Sequence, residues 1–185
     1  MPESKKNNCS IIISEKIDIK NAPSNLDIGL QLINDQITGH INVTKSEIGT
    51  IINITNLRNK NFNLNLNIHL DENSFLELRD ESEYNFGSNV IIKSKMNKNS
   101  IFEYFRLNSF LETSKNYFIH DIDISSNCEF RDFNFSNGSD EMHNKTSVSL
   151  NDENASYVGS GVMISNSTNS NNDLLIKHLS KSAKS

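Results

Sequence analysis

The stretch NFNLNLNIHLDENSFLEL, residues 61–78, decides the fold. Phe62, Leu64, Leu66, Ile68 and Leu70 stand at every second position, with Asn61, Asn63, Asn65, Asn67 and His69 between them. Such alternation puts every apolar side chain on one face of a β-strand. Asp71-Glu72-Asn73 interrupts it with turn formers, and Ser74 opens a second strand carrying Leu76 and Leu78. The unit recurs. With the small residue after the turn as anchor, it returns at Ser100 (MNKNSIFEY), Cys128 (ISSNCEFRD) and Ala155 (LNDENASYV), in steps of 26, 28 and 27 residues.

The other offsets keep the phase. Leu66, Ile68 and Leu70 precede Ser74 as Ile92, Ser94 and Met96 precede Ser100, and as His120, Ile122 and Ile124 precede Cys128. Before Ala155 the turn is one residue longer, and Val148 and Leu150 take the inward places. A further step to Ser182 finds Leu174, Ile176 and His178, and a step back to Glu47 finds Ile41 and Val43. Among the outward positions, Lys93 and Lys95 share offsets with Asp121 and Asp123. Stacked about 4.8 Å apart in successive coils, the lysines face the aspartates. The spacing predicts an all-β chain, a right-handed parallel β-helix (solenoid) with rungs of about 27 residues.

The 185 residues suffice for one domain with a real core. A net charge of −5 leaves no basic surface for nucleic acid or an anionic membrane. Asn fills about thirty positions, several-fold above average usage. In a β-helix Asn suits tight turns, because it tolerates left-handed φ and stacks as amide ladders. A mutational bias towards Asn codons produces the same excess. The two cysteines, Cys9 and Cys128, form no C-x-x-C pair. Cys128 takes an anchor place and reads as a small buried stacking residue rather than a reactive thiol. The N-terminus lacks a signal-peptide core, and no apolar run reaches transmembrane length. The expected location is therefore cytoplasmic.

In order, residues 1–10 read as a flexible tail and 11–36 as an irregular lead-in segment or N-terminal cap, with 27–33 a short strand or helix turn. The β-helix domain runs from 37 to 185 in rungs 37–56, 61–80, 89–110, 117–136, 145–164 and 173–185. The polar stretches between them, including 136–145 and 165–172, are expected as loops that make a third side of each coil. The last rung reads as cut short, its second strand due to begin near Ser182.

No phosphate loop or metal-ligand spacing occurs. His120 and His178 fall on the inward face, His120 as a hydrogen-bonded core residue; His69 is outward and reads as solvated. Glu77, Glu103 and Arg131 share an offset and form one column. That column could be an acid/base site on a β-helix wall or a surface ion-pair ladder, and the ladder is favoured. No catalytic, metal or cofactor-binding residue is assigned.

The pieces NSFLELRDESEYNFGSNVIIKSKMNKNSIFEYFRLN, YFIHDIDISSNCEFRDFNFS, SNGSDEMHNKTSVSLNDENASYVGSGVMIS and NDLLIKHLSKSAKS resemble the SufB/SufD core family of SUF iron–sulfur cluster assembly. Ala155, Gly159 and Gly161 fit one family rung, and His178 with Ser185 fits a His-to-Ser spacing of seven. Gly138-Ser139 stands where two glycines are usual, and His143 or Lys145 where Arg is expected. The absence of N-terminal cysteine motifs makes the likeness closer to SufD. It covers residues 60–185.

The resemblance implies a right-handed parallel β-helix acting as a non-catalytic scaffold, paired with a SufB-like subunit and a SufC-like ATPase. It implies no cofactor bound by this piece, and an Fe–S cluster only at the level of the assembled complex; His178 is read as structural. The alternatives are a polysaccharide-acting β-helix enzyme and a β-solenoid surface or adhesion module.

Overall fold

In the computed structural model, which describes residues 6–46, 48–58, 60–84, 86–110, 114–138, 140–164 and 169–185, every regular element is a strand. The first half holds β1 Lys6–Ile13, β2 Ile17–Lys20, β3 Leu26–Ile33, β4 Gln36–Val43, β5 Gly49–Asn56, β6 Phe62–Leu70, β7 Phe75–Asp80 and β8 Glu83–Tyr84. The second holds β9 Ser88–Met96, β10 Ile101–Phe110, β11 Lys115–Ile124, β12 Glu129–Asn137, β13 Glu141–Leu150, β14 Ser156–Ile164 and β15 Asn169–His178.

From β4 on, successive long strands alternate between two sheets, and the short β8 pairs with β10 in the first. Sheet A runs β14-β12-β10-β7-β5-β1-β2 and sheet B runs β15-β13-β11-β9-β6-β4-β3. Within each, the long strands are parallel, so the chain is a β-solenoid with the expected repeat. Two sheets face each other across the core. Among the described residues the polar connections form no third sheet, and two of them are partly strand. β13 starts at Glu141 and buries Met142 and Asn144, and β15 starts at Asn169. Polarity misled the reading there, because inward places at that corner hold polar side chains.

The anchors stack as the repeat demands. Phe75 pairs with Ile101, Ile101 with Glu129, and Glu129 with Ser156, so Ser74, Ser100, Cys128 and Ala155 form one buried column. The last member is Ala183 rather than Ser182, because Lys184 bridges to Ser156. The turn after His178 is one residue longer, like the turn after Leu150. The anchor assigned to Glu47 lies outside the described residues, but Ile41 and Val43 do pair with Ile68 and Leu70.

The turn before each anchor shows what the asparagines do. Asn73, Asn99, Asn127 and Asn154 have φ between 55° and 59°, the left-handed region that Asn tolerates. Their amides form a ladder: Asn99 Nδ2 donates to Asn73 Oδ1 at 3.0 Å, Asn127 to Asn99 at 3.2 Å, and Asn154 to Asn127 at 3.0 Å. The same side chain thus sets the turn and ties each coil to the next.

The start of the chain differs from the expected tail. Lys6–Ile13 is strand β1, parallel to β5, and it buries Cys9, Ile11 and Ile13 in the core. Residues 11–36 hold the end of β1 and the strands β2 and β3. β2 folds back antiparallel on β1, and β3 folds back antiparallel on β4 through Asn34 and Asp35, both at positive φ. Arg58 is buried beneath that hairpin. Its Nη1 donates to the Asp35 carbonyl at 3.2 Å, and its Nη2 pairs with the Asp35 carboxylate.

The core is apolar beside the Asn turns and polar at the opposite corner. Inward columns Val43–Leu70–Met96–Ile124–Leu150 and Leu76–Phe102–Phe130–Tyr157 flank the turns. At the far corner Asn56, Ser82, Asn108 and Ser136 are buried on sheet A, and Ser88, Asn116 and Asn144 on sheet B. They bond to one another: Ser82 Oγ donates to Asp80 at 2.5 Å, Ser88 Oγ to Asn116 Oδ1 at 2.7 Å, and Ser136 Oγ to Asn134 Oδ1 at 2.9 Å.

Two measurements follow from this packing. Replacing Asn99 by Ala removes two ladder bonds and strains a left-handed residue, a loss of about 1–3 kcal/mol; Asn99→Gly loses the bonds without the strain and costs less. Urea unfolding of both variants checks the order.

His120 gives the second. It is fully buried, with Nε2 2.8 Å from Ser94 Oγ and Nδ1 without a partner among the described residues. Burial first, then the nearby Arg106 charge, pushes its pKa down to about 3. The unfolded chain takes up that proton near pH 6.5 and the folded chain does not, so stability falls as pH drops from about 6.5 to 3, by about 1.4 kcal/mol per unit. Between pH 7 and 5 the native protein should lose about 2 kcal/mol more than His120→Leu.

Candidate functional site

The outer wall of sheet A carries the column foreseen from the repeat. Glu77, Glu103 and Arg131 sit in register on β7, β10 and β12. Arg131 Nη1 donates to Glu103 Oε1 at 2.6 Å, and its Nε and Nη2 hold the Glu129 carboxylate at 2.8 and 3.0 Å. Glu77 accepts from Lys6 Nζ at 2.5 Å and from Arg79 Nε at 2.7 Å. Burial pushes the Glu77 carboxyl up, but these hydrogen bonds and charges outweigh it and hold it below the usual carboxylate range. Each acid of the column is closed on a cation. That is the ion-pair ladder, and it ties β1 to β7 across the stack.

The histidines go to separate places. His69 faces outward, 3.2 Å from Asp71 and 3.3 Å from Asn97, so it is paired rather than simply solvated. His120 lies within 6.4 Å of the Phe102, Tyr104, Phe118 and Phe130 rings, edge-on to each. His178 Nε2 lies 3.1 Å from Ser185 Oγ and Nδ1 3.3 Å from the Ala183 carbonyl, so the two residues of the His-to-Ser spacing meet.

His143 belongs to a cluster that the sequence reading missed. Its ring stacks on Tyr117 at 5.2 Å, and its Nε2 lies 3.3 Å from Glu141. Tyr117 Oη donates to Glu141 at 2.5 Å and Lys115 Nζ pairs with it at 3.0 Å, which pulls the Glu141 carboxyl down to about 2. The available signal was that Tyr117 and His143 stand one rung apart.

On the outer face of sheet B, Lys93 and Lys95 are in register with Asp121 and Asp123 as expected, yet no ion pair within 4.0 Å closes between them. These four, with Asn67, His69, Ser147, Ser149 and Lys177, line an open groove of about 470 Å³.

The second feature missed lies inside the solenoid. Arg106 and Asp132 are inward residues of β10 and β12, only 3% and 7% exposed. One guanidinium nitrogen, Nη2, reaches both Asp132 oxygens, at 3.4 and 3.2 Å, instead of the parallel two-nitrogen fork. The guanidinium lies 3.7 Å from the Phe118 ring centre, and its Nε has no partner among the described residues. On β14 the inward places fall to Gly159 and Gly161, which leaves a cup of about 150 Å³ above the pair. A Cβ on Gly159 would come within 2.2 Å of the Tyr157 hydroxyl, so the glycine lets that ring lie along its own strand. Burial, then the Asp132 charge, pushes the Tyr157 phenol up to about 12.

Among the described residues no group of three or more His, Cys, Asp and Glu stands close enough to hold a metal ion. Both thiols are buried, Cys9 on β1 and Cys128 in the anchor column, where its Sγ donates to the Asn97 carbonyl at 2.9 Å. These residues do not fit a resident iron–sulfur cluster. No helix among the described residues is long and apolar enough to cross a membrane.

Asp132→Leu alone strands the Arg106 charge in the core and should cost about 3–5 kcal/mol; adding Arg106→Met should recover most of it. Urea midpoints of the single and double variants test this. In comparisons with known proteins, no family model, no curated protein and no solved structure matches the chain.

Proposed function

We propose that the chain is a non-catalytic scaffold subunit of iron–sulfur cluster assembly in the cytoplasm, SufD-like, which pairs with a SufB-like β-helix subunit and works with a SufC-like ATPase. The cluster is the cargo of that assembly and not a resident group of this chain.

The observation that carries the scaffold reading is an apolar patch on the outer face of sheet A, where a solvated strand face carries polar residues. Phe105 and Leu107 of β10, Phe133 and Phe135 of β12, and Val158 and Val162 of β14 all point outward. Leu107, Phe133, Val158 and Val162 are 38–56% exposed, and the Phe105 and Phe133 rings lie 6.3 Å apart. A patch of this kind on adjacent rungs suits a broad protein partner better than a soluble substrate. The assignment to this assembly system comes from the sequence resemblance.

Co-expression with tagged SufB-like and SufC-like subunits tests the proposal. The chain should co-purify in fixed stoichiometry, and Phe133→Asp with Val162→Asp should weaken capture at least tenfold while the circular dichroism melt stays two-state. Absence of co-purification with the native sequence overturns the reading.

A further inference from the structure

The end of β12 carries an inference that does not depend on the scaffold reading. Asn137 closes that strand and Gly138 follows it, the one Asn-Gly pair in the sequence. An asparagine before glycine is prone to attack on itself. The backbone nitrogen of the next residue can reach the side-chain carbonyl carbon, and glycine offers no Cβ to hinder the approach.

The fold needs glycine at this place. Gly138 has φ +88°, and a Cβ on it would run into the Phe110 carbonyl oxygen of β10. Asn137 is exposed, and its side-chain amide makes no hydrogen bond among the described residues. The ladder asparagines contrast with it. Asn99 donates to Asn73 and accepts from Asn127, and the nitrogen that follows it, Ser100 N, donates to the Asn97 carbonyl at 3.2 Å. There the leaving amide and the attacking nitrogen are both tied. At Asn137 only the attacking nitrogen is tied: Gly138 N–H donates to the Ile164 carbonyl of β14 at 3.0 Å. While that bond stands the nitrogen keeps its proton, so reaction waits for the two strand ends to part.

We propose that Asn137 is a site of spontaneous deamidation, and that the pairing of β12 with β14 sets its rate. Gly138 N bonds to Cγ of Asn137, the Cγ–Nδ2 bond breaks, and ammonia leaves with the Gly138 amide proton. Water then opens the resulting succinimide at either carbonyl, giving aspartate or isoaspartate. A new carboxylate then stands in register between Ser109 of β10 and Ile164 of β14, and the isoaspartate product lengthens the backbone at the strand end.

The test is incubation of the full chain at mildly alkaline pH, native and in urea, with peptide mass mapping that separates aspartate from isoaspartate at every asparagine. In urea, Asn137 should convert faster than any other asparagine. In the native protein its rate should be at least tenfold lower, since only the opened fraction reacts. Ile164→Gly loosens the end of β14 and should raise the native rate about two- to fivefold. Another asparagine converting first in urea overturns the site. Equal rates in the native protein and in urea overturn the control by β14, as does an Ile164→Gly rate no higher than that of the native chain. Aspartate without isoaspartate marks direct hydrolysis and overturns the attack by Gly138 N.

Discussion

Everything in this solenoid depends on one constraint: each residue must stack on its equivalent one coil away. A strand has side-chain period 2, so a slip of one residue would turn every inward side chain outward. The asparagine column fixes that register at one corner of each coil. Its residues adopt the left-handed turn that begins the sheet A strand, and their amides bond along the axis. The extra residue before Ala155 is absorbed ahead of Asn154. The 26- and 28-residue steps differ in the connection from sheet A to sheet B, so the coils stack without disturbing the anchor column.

The same stacking that aligns leucines also aligns buried polar groups, and here they fill one corner of the interior. Across the interior, columns change from aliphatic to aromatic to charged. His120 lies at the boundary, ringed by Phe102, Tyr104, Phe118 and Phe130, with Arg106 next to it. A fully apolar interior would be more stable, since buried ion pairs rarely repay their desolvation. The polar corner instead gives the wall a defined set of hydrogen-bonding groups.

The architecture was legible because period 2 with a 27-residue recurrence has one physical solution, and the anchors Ser74, Ser100, Cys128 and Ala155 could be read directly. Where the inward places hold Arg106, Asn108, Asp132 and Asn134, the alternation persists but its polarity contrast vanishes, so the cup was invisible to a rule that sorts by hydrophobicity. Turn insertions produced the other error of phase, Ser182 for Ala183, since only backbone pairing shows which residue absorbs the extra step. Strand β1 was hidden for a third reason. KNNCSIII alternates only in its second half, and it becomes a strand through its pairing with β5. The charge columns were placed correctly by arithmetic, yet spacing could not say that Arg131 closes on Glu103 while Lys93 stays apart from Asp121.

The two antiparallel hairpins give the stack a direction. On that side β2 and β3 run against the strands they pair with. β14 and β15 are the outermost described strands at the other end, and both run parallel to their neighbours. Along each sheet the strand direction thus changes once among the described residues, from antiparallel at the hairpins to parallel through every later rung.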